Sequence, residues 1–379
     1  MLPHTTEVLV VGAGPAGLTA ALALADKGRD VTVADNQDEG QNTSRASVIY
    51  PRTLELLEPL GVAGPLAAQG IHARRFTIRD RDKILMAVRF DPLPTAYPYT
   101  LLISQAVTEA MLLRRLRQYG IMVLRPHTLT GLAQDGSGVT ATFADGERVR
   151  ARYLVGADGM HSTVRARAGI GFTASATGAS YSLADVHLSG GLPADEVAVY
   201  FSPQGQLVSV PFPDGSYKIV ANVTEAPPQS GLEFIQELVD ARGPQARRVV
   251  VHDIIWGSRF RIHHGVADAF HAGRIALAGD AAHDNSPLGG QGMNAGIGDA
   301  VALGAALDLA IRTGSTDPLE AYTAARRPIA QQIVAITNKL TWLATMDRQL
   351  RSLRNAALAI TSPVTSPRLA RRLSMLAYH

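Results

Sequence analysis

The 379-residue sequence predicts an α/β fold, α+β over its whole length: a parallel sheet with helices, interrupted by a mostly antiparallel sheet and followed by C-terminal helices. Three observations lead there. Near the N-terminus, the apolar run Glu7–Val11 is followed by Gly12-Ala-Gly14-Pro-Ala-Gly17, an Ala/Leu-rich stretch to Lys27, and a second apolar run at Val31–Val33. From Tyr181 to Arg259 the pattern alternates between apolar and polar residues, as in strands of an antiparallel sheet. From Ile275 to Ala278 a short apolar run is succeeded by a Gly-rich loop and a Pro-free, Ala/Leu-rich stretch, Ala295–Ile311.

The first observation is a complete strand–turn–helix–strand unit, Rossmann-like in spacing. Gly12 permits the tight turn, Gly14 lets backbone approach a pyrophosphate, and Gly17 lets helix and strand pack closely. Asp35 closes the second strand where a ribose hydroxyl is expected. With Pro15 and Ala16 opening the helix, residues 12–17 and Asp35 form a candidate site for an ADP moiety.

Composition narrows the class. Hydrophobic residues make up 46% and charged residues 18%, which fits a globular chain and not a disordered one. A formal charge of +3 is too small to argue for nucleic acid, and no RNA-binding, zinc or basic-helix motif supports one. There is no cysteine, which removes disulfides, thiolate metal sites and cysteine nucleophiles together. The histidines carry no metal-ligand spacing, so no metal is expected. Val8–Val11 is too short for a signal or a span, and a cytoplasmic location without an integral membrane segment is the default expectation.

Along the chain, Arg45-Ala-Ser-Val-Ile-Tyr-Pro51-Arg52-Thr-Leu-Glu55 reads as a loop entering a helix. Phe76–Ile78 and Met86–Phe90 read as strands, and Ala106–Tyr119 as a helix opened by Gln105. Val139–Phe143 and Glu147–Arg152 form a hairpin through Asp145-Gly146. The strand that follows ends on Asp158-Gly159, with Ser162 and Arg165 just inside the next helix. A helix is expected near Glu233–Ala241 and a strand near Val249–Trp256. After the central Gly-rich stretch, Leu319–Arg326 reads as one helix, and Arg327-Pro328 begins a long amphipathic one reaching Leu358.

The stretch Gly279-Asp280-Ala-Ala-His283-Asp-Asn-Ser-Pro287-Leu-Gly289-Gly290-Gln-Gly292-Met293-Asn294 places an acid at a strand's end and a Gly-rich loop before a helix N-terminus. That arrangement suits an electron-rich ligand, met by backbone N–H groups and the positive end of the helix dipole. Gly290 to Ala295 also matches G-x-G-x-x-A, but Pro287 and its loop separate it from any strand, so it is not a second dinucleotide fingerprint.

These segments agree in order and spacing with a known family. The N-terminal glycines, the Asp158-Gly159 segment, the Gly279-Asp280 segment, Arg45 and Gln105 resemble the FAD-dependent aromatic hydroxylases, the group A flavoprotein monooxygenases related to p-hydroxybenzoate hydroxylase. The wording Gly-Gly-Gln-Gly-Met-Asn and Pro-Arg-Thr-Leu-Glu is closest to the polyketide and phenol hydroxylase branch; many of its members carry an extra thioredoxin-like C-terminal domain, which is not expected in this sequence.

The resemblance implies bound FAD, with NAD(P)H and O2 as co-substrates and an oxygen adduct at flavin C4a, a hydroperoxide, as the hydroxylating agent. It implies that Gly12, Gly14 and Gly17 hold the pyrophosphate and Asp35 the adenosine ribose, with Arg45 and Gln105 on the phosphate, ribityl or ring side. Asp158 would lie near FAD and NAD(P)H. Gly279 and Asp280 would bind the ribityl or pyrophosphate end, and Pro287, Gly289, Gly290, Gly292, Met293 and Asn294 would line the flavin's pyrimidine edge.

The domains expected are residues 1–70, 104–175 and 270–330 for FAD, 71–103 and 176–269 as a β-sheet roof over the flavin, and 331–379 as C-terminal helices. No catalytic side chain can be read; Arg45 and Pro287 are the candidates, with His187, Tyr200 and Tyr217 on roof strands as substrate candidates. The partner expected is a small aromatic molecule. Six arginines from Arg348 to Arg372 suggest a helix lying on the FAD domain, or else a peripheral membrane contact. Alternatives are a Baeyer–Villiger, quinone-pathway or antibiotic-modifying outcome on the same scaffold, and a non-catalytic flavin-binding accessory protein. Oligomeric state is not encoded legibly.

Overall fold

The computed structural model describes residues 1–40, 46–225, 227, 230–284, 289–344, 346 and 348–378, with backbone alone at 174–179, 260–264 and 348. The first strand, Thr5–Val11, is the middle of the main sheet. It runs parallel to Val31–Ala34 on one side and to Arg148–Gly156 on the other. Ile275–Leu277 extends the sheet in parallel beyond Arg148–Gly156. Every side chain from Val8 to Val11 is buried, which is why this strand reads as an unbroken apolar run instead of an alternating one.

The strand Arg148–Gly156 has both parallel and antiparallel neighbours within the one main sheet. Its first half pairs antiparallel with Gly138–Phe143 through the Asp145-Gly146 turn, and its second half joins the parallel core. A break at Arg152 was expected; none occurs, because Val149, Ala151, Tyr153, Leu154 and Val155 are all buried along one continuous ladder.

The second sheet has eight strands, in the order His283–Asp284, Val250–Ala267, Phe172–Ser189, Tyr217–Val223, Gly205–Pro211, Val197–Ser202, Arg75–Asp80, Lys83–Arg89. Neighbours are antiparallel except Val197–Ser202 with Arg75–Asp80. Its two faces differ. Ala184, Val186, Tyr200, Leu207, Tyr217 and Ile219 pack against the helix Leu232–Arg242 through Ile235, Leu238 and Val239. The opposite face, with Val197, Val199, Phe201 and Val210, meets Val48, Tyr50 and Ala295 of the first layer.

The C-terminal region departs from expectation twice. The helix Asp317–Ala344 runs through Pro328 without a break. A proline forfeits one backbone hydrogen bond, but buried Ile329, Ala330 and Ile333 hold the helix down, and the Arg327 guanidinium donates to the Ala267 carbonyl at 2.9 Å. The last helix, Arg351–Leu373, lies on the second sheet and not on the main one. Leu358, Ala370 and Leu373 enter that sheet's core, Arg351 pairs with Asp80, and Asn355 Nδ2 donates to the same carboxylate at 2.7 Å. Among the described residues, one helix, Gly292–Thr313, is long and apolar enough to cross a membrane by composition, and 67% of its most apolar window is buried inside the protein.

Candidate functional site

Three sequence segments converge at the C-terminal end of the main sheet, and the convergence is enforced by absent side chains. A Cβ on Gly12, which has φ +102°, would lie 2.3 Å from the Ala157 carbonyl oxygen and 2.8 Å from the Asp158 nitrogen. A Cβ on Gly17 would lie 1.9 Å from the Gly12 oxygen. Gly279, at φ +64°, approaches Ala16 so closely that a Cβ would meet that methyl at 2.8 Å. The turn after the first strand, the Asp158 segment and the Gly279-Asp280 segment are thus locked together by contacts only glycine allows. Gly14 differs: an added Cβ would meet nothing within 4 Å. It precedes the helix Pro15–Ala25, which no side chain caps, so open space lies before its positive end.

Asp35 is buried at the second strand's end, and its carboxylate accepts from the Ala13 amide at 2.7 Å and the Gln37 amide at 2.9 Å. It therefore braces the glycine turn. Beside it, 3.8 Å away, is the Nε of Arg125, a buried atom with no hydrogen-bond partner among the described residues. Arg125 stands in no sequence motif and arrives here directly after the short strand Val123–Leu124, which pairs with Val31–Ala34.

Gln105 does not reach outward. Its Oε1 accepts from the Ala46 amide at 3.0 Å, and its Nε2 donates to Glu109 at 2.8 Å. Burial first, and then the Asp35 charge, raise the Glu109 carboxyl, against the lowering effect of Gln105 and Arg125. Asp158 likewise works locally: the Ser162 hydroxyl donates to it at 2.5 Å and the Val164 amide at 3.0 Å, so it ties the loop to the helix Thr163–Arg167. Burial raises its pKa, partly offset by those bonds.

The Arg165 guanidinium donates to the Ala281 carbonyl at 2.8 Å and the Met160 carbonyl at 2.9 Å, with Phe172 stacked 4.1 Å below, and so binds the Asp158 segment to the Asp280 segment. Asp280 itself is exposed, on the 3-10 turn Gly279–Ala281.

Behind that turn lies a buried charge network absent from the sequence reading. His283 Nε2 is 2.6 Å from Asp299 Oδ2, and Arg326 Nε donates to Asp299 Oδ1 at 2.8 Å. Burial alone pulls His283 toward neutrality, but the charge and hydrogen bond of Asp299 outweigh it, and the net direction is upward from 6.5. Burial pushes Asp299 up, but His283 and Arg326 outweigh it and hold the carboxyl below 3.8. An Asp within a helix and an Arg on the next gave no spacing signal, since their meeting is tertiary.

The Gly-rich loop is fixed from its far side. Asn294 Nδ2 donates to the Val48 and Gly290 carbonyls at 2.9 and 2.8 Å, and its Oδ1 accepts from the Tyr50 amide at 2.9 Å. The Tyr50 hydroxyl, its pKa raised by burial, donates to the Gly289 carbonyl at 2.5 Å. Asn294 thus shapes the loop, leaving backbone at Gly289, Gly290 and Gly292 as the surface on offer, with Met293 packed into the main core. Arg45 and Pro287 lie outside the described residues.

Tyr200 and Tyr217, substrate candidates for which packing was the readier alternative, sit in the core beneath the Leu232–Arg242 helix, on the sheet face turned away from the first layer. His187 is half exposed and 2.9 Å from Asp253. Among the described residues, His127, Asp145 and Glu147 bring their ligand atoms within 4.8 Å of one another, a grouping without sequence spacing; His127 Nδ1 is 3.1 Å from Asp145.

A glycine turn before an uncapped helix, an acid at the second strand, a partnerless arginine nitrogen beside it and a braced Gly-rich loop fit a dinucleotide with a flavin ring. The chain belongs to the family described as FAD binding domain, whose model matches residues 5–337. Its relatives carry the names of aromatic and polyketide monooxygenases. It is 36% identical over 369 residues to 6-methylpretetramide 4-monooxygenase of Streptomyces rimosus, covering 94% of this chain and 64% of that protein. It is 32% identical over 342 residues to a rifampicin monooxygenase of Rhodococcus hoagii, covering 87% and 69%. The fold superposes on p-nitrophenol 4-monooxygenase from Pseudomonas putida with TM-score 0.86 and 26% identity, over 98% of both chains. Anhydrotetracycline hydroxylase from Streptomyces rimosus aligns at TM-score 0.83 and 31% identity, over 98% of this chain and 76% of that one.

Proposed function

We propose that this protein is an FAD-dependent monooxygenase that hydroxylates an aromatic, phenolic or polyketide-like small molecule at the expense of NAD(P)H and O2. The observation that carries the reading is the meeting of residues 12–17, 157–165, 279–284 and 289–294 beneath the apolar face of the second sheet. When bound there, FAD supplies the hydride acceptor and oxygen-activating chemistry; the chain supplies position, dryness and field.

Gly14 and the helix N-terminus after it receive the pyrophosphate, with Arg125 and Asp35 on the adenosine side. The backbone of Gly289, Gly290 and Gly292 presents N–H groups at the start of the Gly292–Thr313 helix, where negative charge on a reduced ring is stabilised. The valine-rich sheet face excludes water, which protects a reactive oxygen species from loss.

The experiment is anaerobic reduction of the FAD-loaded protein by NADH or NADPH, followed by the loss of flavin absorbance, with and without phenols and polyketide aromatics. A compound accelerating reduction about tenfold, or about 1.4 kcal/mol of barrier, followed by an oxygen-containing product in air, supports the proposal. A protein that holds FAD but is reduced by neither nicotinamide under any ligand defeats it.

A further inference from the structure

On the sheet face turned toward the cofactor segments, one row crosses four strands. The register sets Val210 opposite Lys218, Lys218 opposite Asp185, and Asp185 opposite Trp256. Around this row the face is apolar, with Val197, Val199 and Phe201 buried beside it. Lys218 is 2% exposed and is bonded to the Asp185 carboxylate. Its Nζ stands 5.6 Å from the centre of the Phe212 ring and 5.6 Å from that of Trp256.

A buried ion pair is a poor device for stability alone, since apolar residues of equal volume often serve as well or better. Two charges in the middle of an apolar face, between two aromatic rings and turned toward a flavin segment, instead match the needs of a particular ligand. A ring is hydroxylated more readily when an attached oxygen is ionised and feeds electron density into it. An anion enters a dry pocket only against a fixed cation.

We propose that the Lys218 ammonium, held in place by Asp185, receives the ionised oxygen of a planar substrate, a phenolate or the enolate of a 1,3-dicarbonyl, with Trp256 and Phe212 walling its ring. The inference rests on the monooxygenase reading and narrows its substrate class to acidic phenols and enols. The substrate's proton is left in solvent on binding, so one proton is released for each neutral phenol taken up. Asp185 is a positioning residue: burial lowers the Lys218 pKa, and the carboxylate beside it offsets part of that lowering. Asp214, in the adjoining turn, adds negative charge felt at Asp185.

The test uses the FAD-loaded protein and 4-nitrophenol, whose absorption moves to longer wavelength on ionisation, with 4-nitroanisole as the non-ionisable control. In the wild type, the pKa of bound 4-nitrophenol is expected to fall by roughly one to two units. Lys218→Met should abolish that shift and weaken 4-nitrophenol about tenfold, leaving 4-nitroanisole unchanged; Lys218→Arg should restore most of the shift. If Lys218→Met fails to fold, Lys218→Met with Asp185→Leu removes both charges and carries the same measurement. A variant without Lys218 that still ionises the bound phenol, equal weakening of both probes, or no spectral change on the wild type overturns the proposal. Reduction by NADPH that 4-nitrophenol still accelerates, in a variant with an unchanged shift, sinks the role of Lys218 while leaving the monooxygenase reading intact. Absence of FAD uptake or of reduction sinks both.

Discussion

The dinucleotide cradle and the sheet face above it are made of opposite materials. In the cradle, side chains are missing where it matters: Gly12, Gly17 and Gly279 permit approaches a methyl would forbid, and Gly14 leaves a gap. On the sheet face, everything depends on side chains, and a residue's neighbour along the chain is of little consequence beside its neighbour across the ladder. The first kind of site is written in spacing and the second in register. A relative with a different substrate can therefore keep the one while rewriting the other.

Breaking the brace behind the cradle should have the largest effect. Asp299→Ala leaves His283 and Arg326 facing a cavity without their carboxylate and is expected to destabilise by about 3–5 kcal/mol, read by chemical denaturation. The same pair gives a pH dependence. His283 has its pKa raised by folding, so its contribution is full below the ordinary value of 6.5 and is lost as pH rises through the folded value. Asp299 has its pKa lowered, so its contribution is present above 3.8 and is lost as pH falls through the folded value. The stability gap between wild type and His283→Gln should thus be widest between those two values and shrink on either side. A gap independent of pH would refute the ion pair.

Next in size, Gly17→Ala and Gly14→Ala should separate folding from binding. The first drives a methyl into the Gly12 carbonyl and should cost about 1–3 kcal/mol of stability. The second meets no protein atom, so the FAD-free protein should keep its melting temperature while its FAD affinity drops. Equal losses of stability in both would mean that the gap before the helix is not the ligand's. The smallest effect belongs to Tyr200→Phe. The Tyr200 hydroxyl is buried without a partner among the described residues, on the face away from the cradle, and burial pushes its pKa up to about 12. Its removal should leave stability within about 0.5 kcal/mol of wild type or improve it, with no change in ligand binding.

The parts of the molecule legible in the sequence are those that local chemistry dictates. The βαβ start, the Asp145-Gly146 hairpin and the described segments 279–284 and 289–294 each follow from residues adjacent in the chain. Asp299, Arg326 and Arg125 were missed because each acts across more than 15 positions, counting from its partner, on an otherwise ordinary helix or strand. Tyr200 and Tyr217 lie on strands read from the alternation, with their side chains on the core face. Side chains alternate along a strand, so a one-residue difference in parity exchanges core for pocket, and Lys218, adjacent to Tyr217, sits on the other side. The ladder through Asp185 also slips register between Asp185 and Val186, and no sequence pattern announces such a slip.

The two longest strands, Phe172–Ser189 and Val250–Ala267, have eighteen residues each, a span of roughly 60 Å. Near one end, Trp256 stands over the Lys218 row; nearer the other, Gly265 and Val266 pair with Asp284 and His283. A single beam therefore carries both the wall of the proposed pocket and the segment next to the flavin loop.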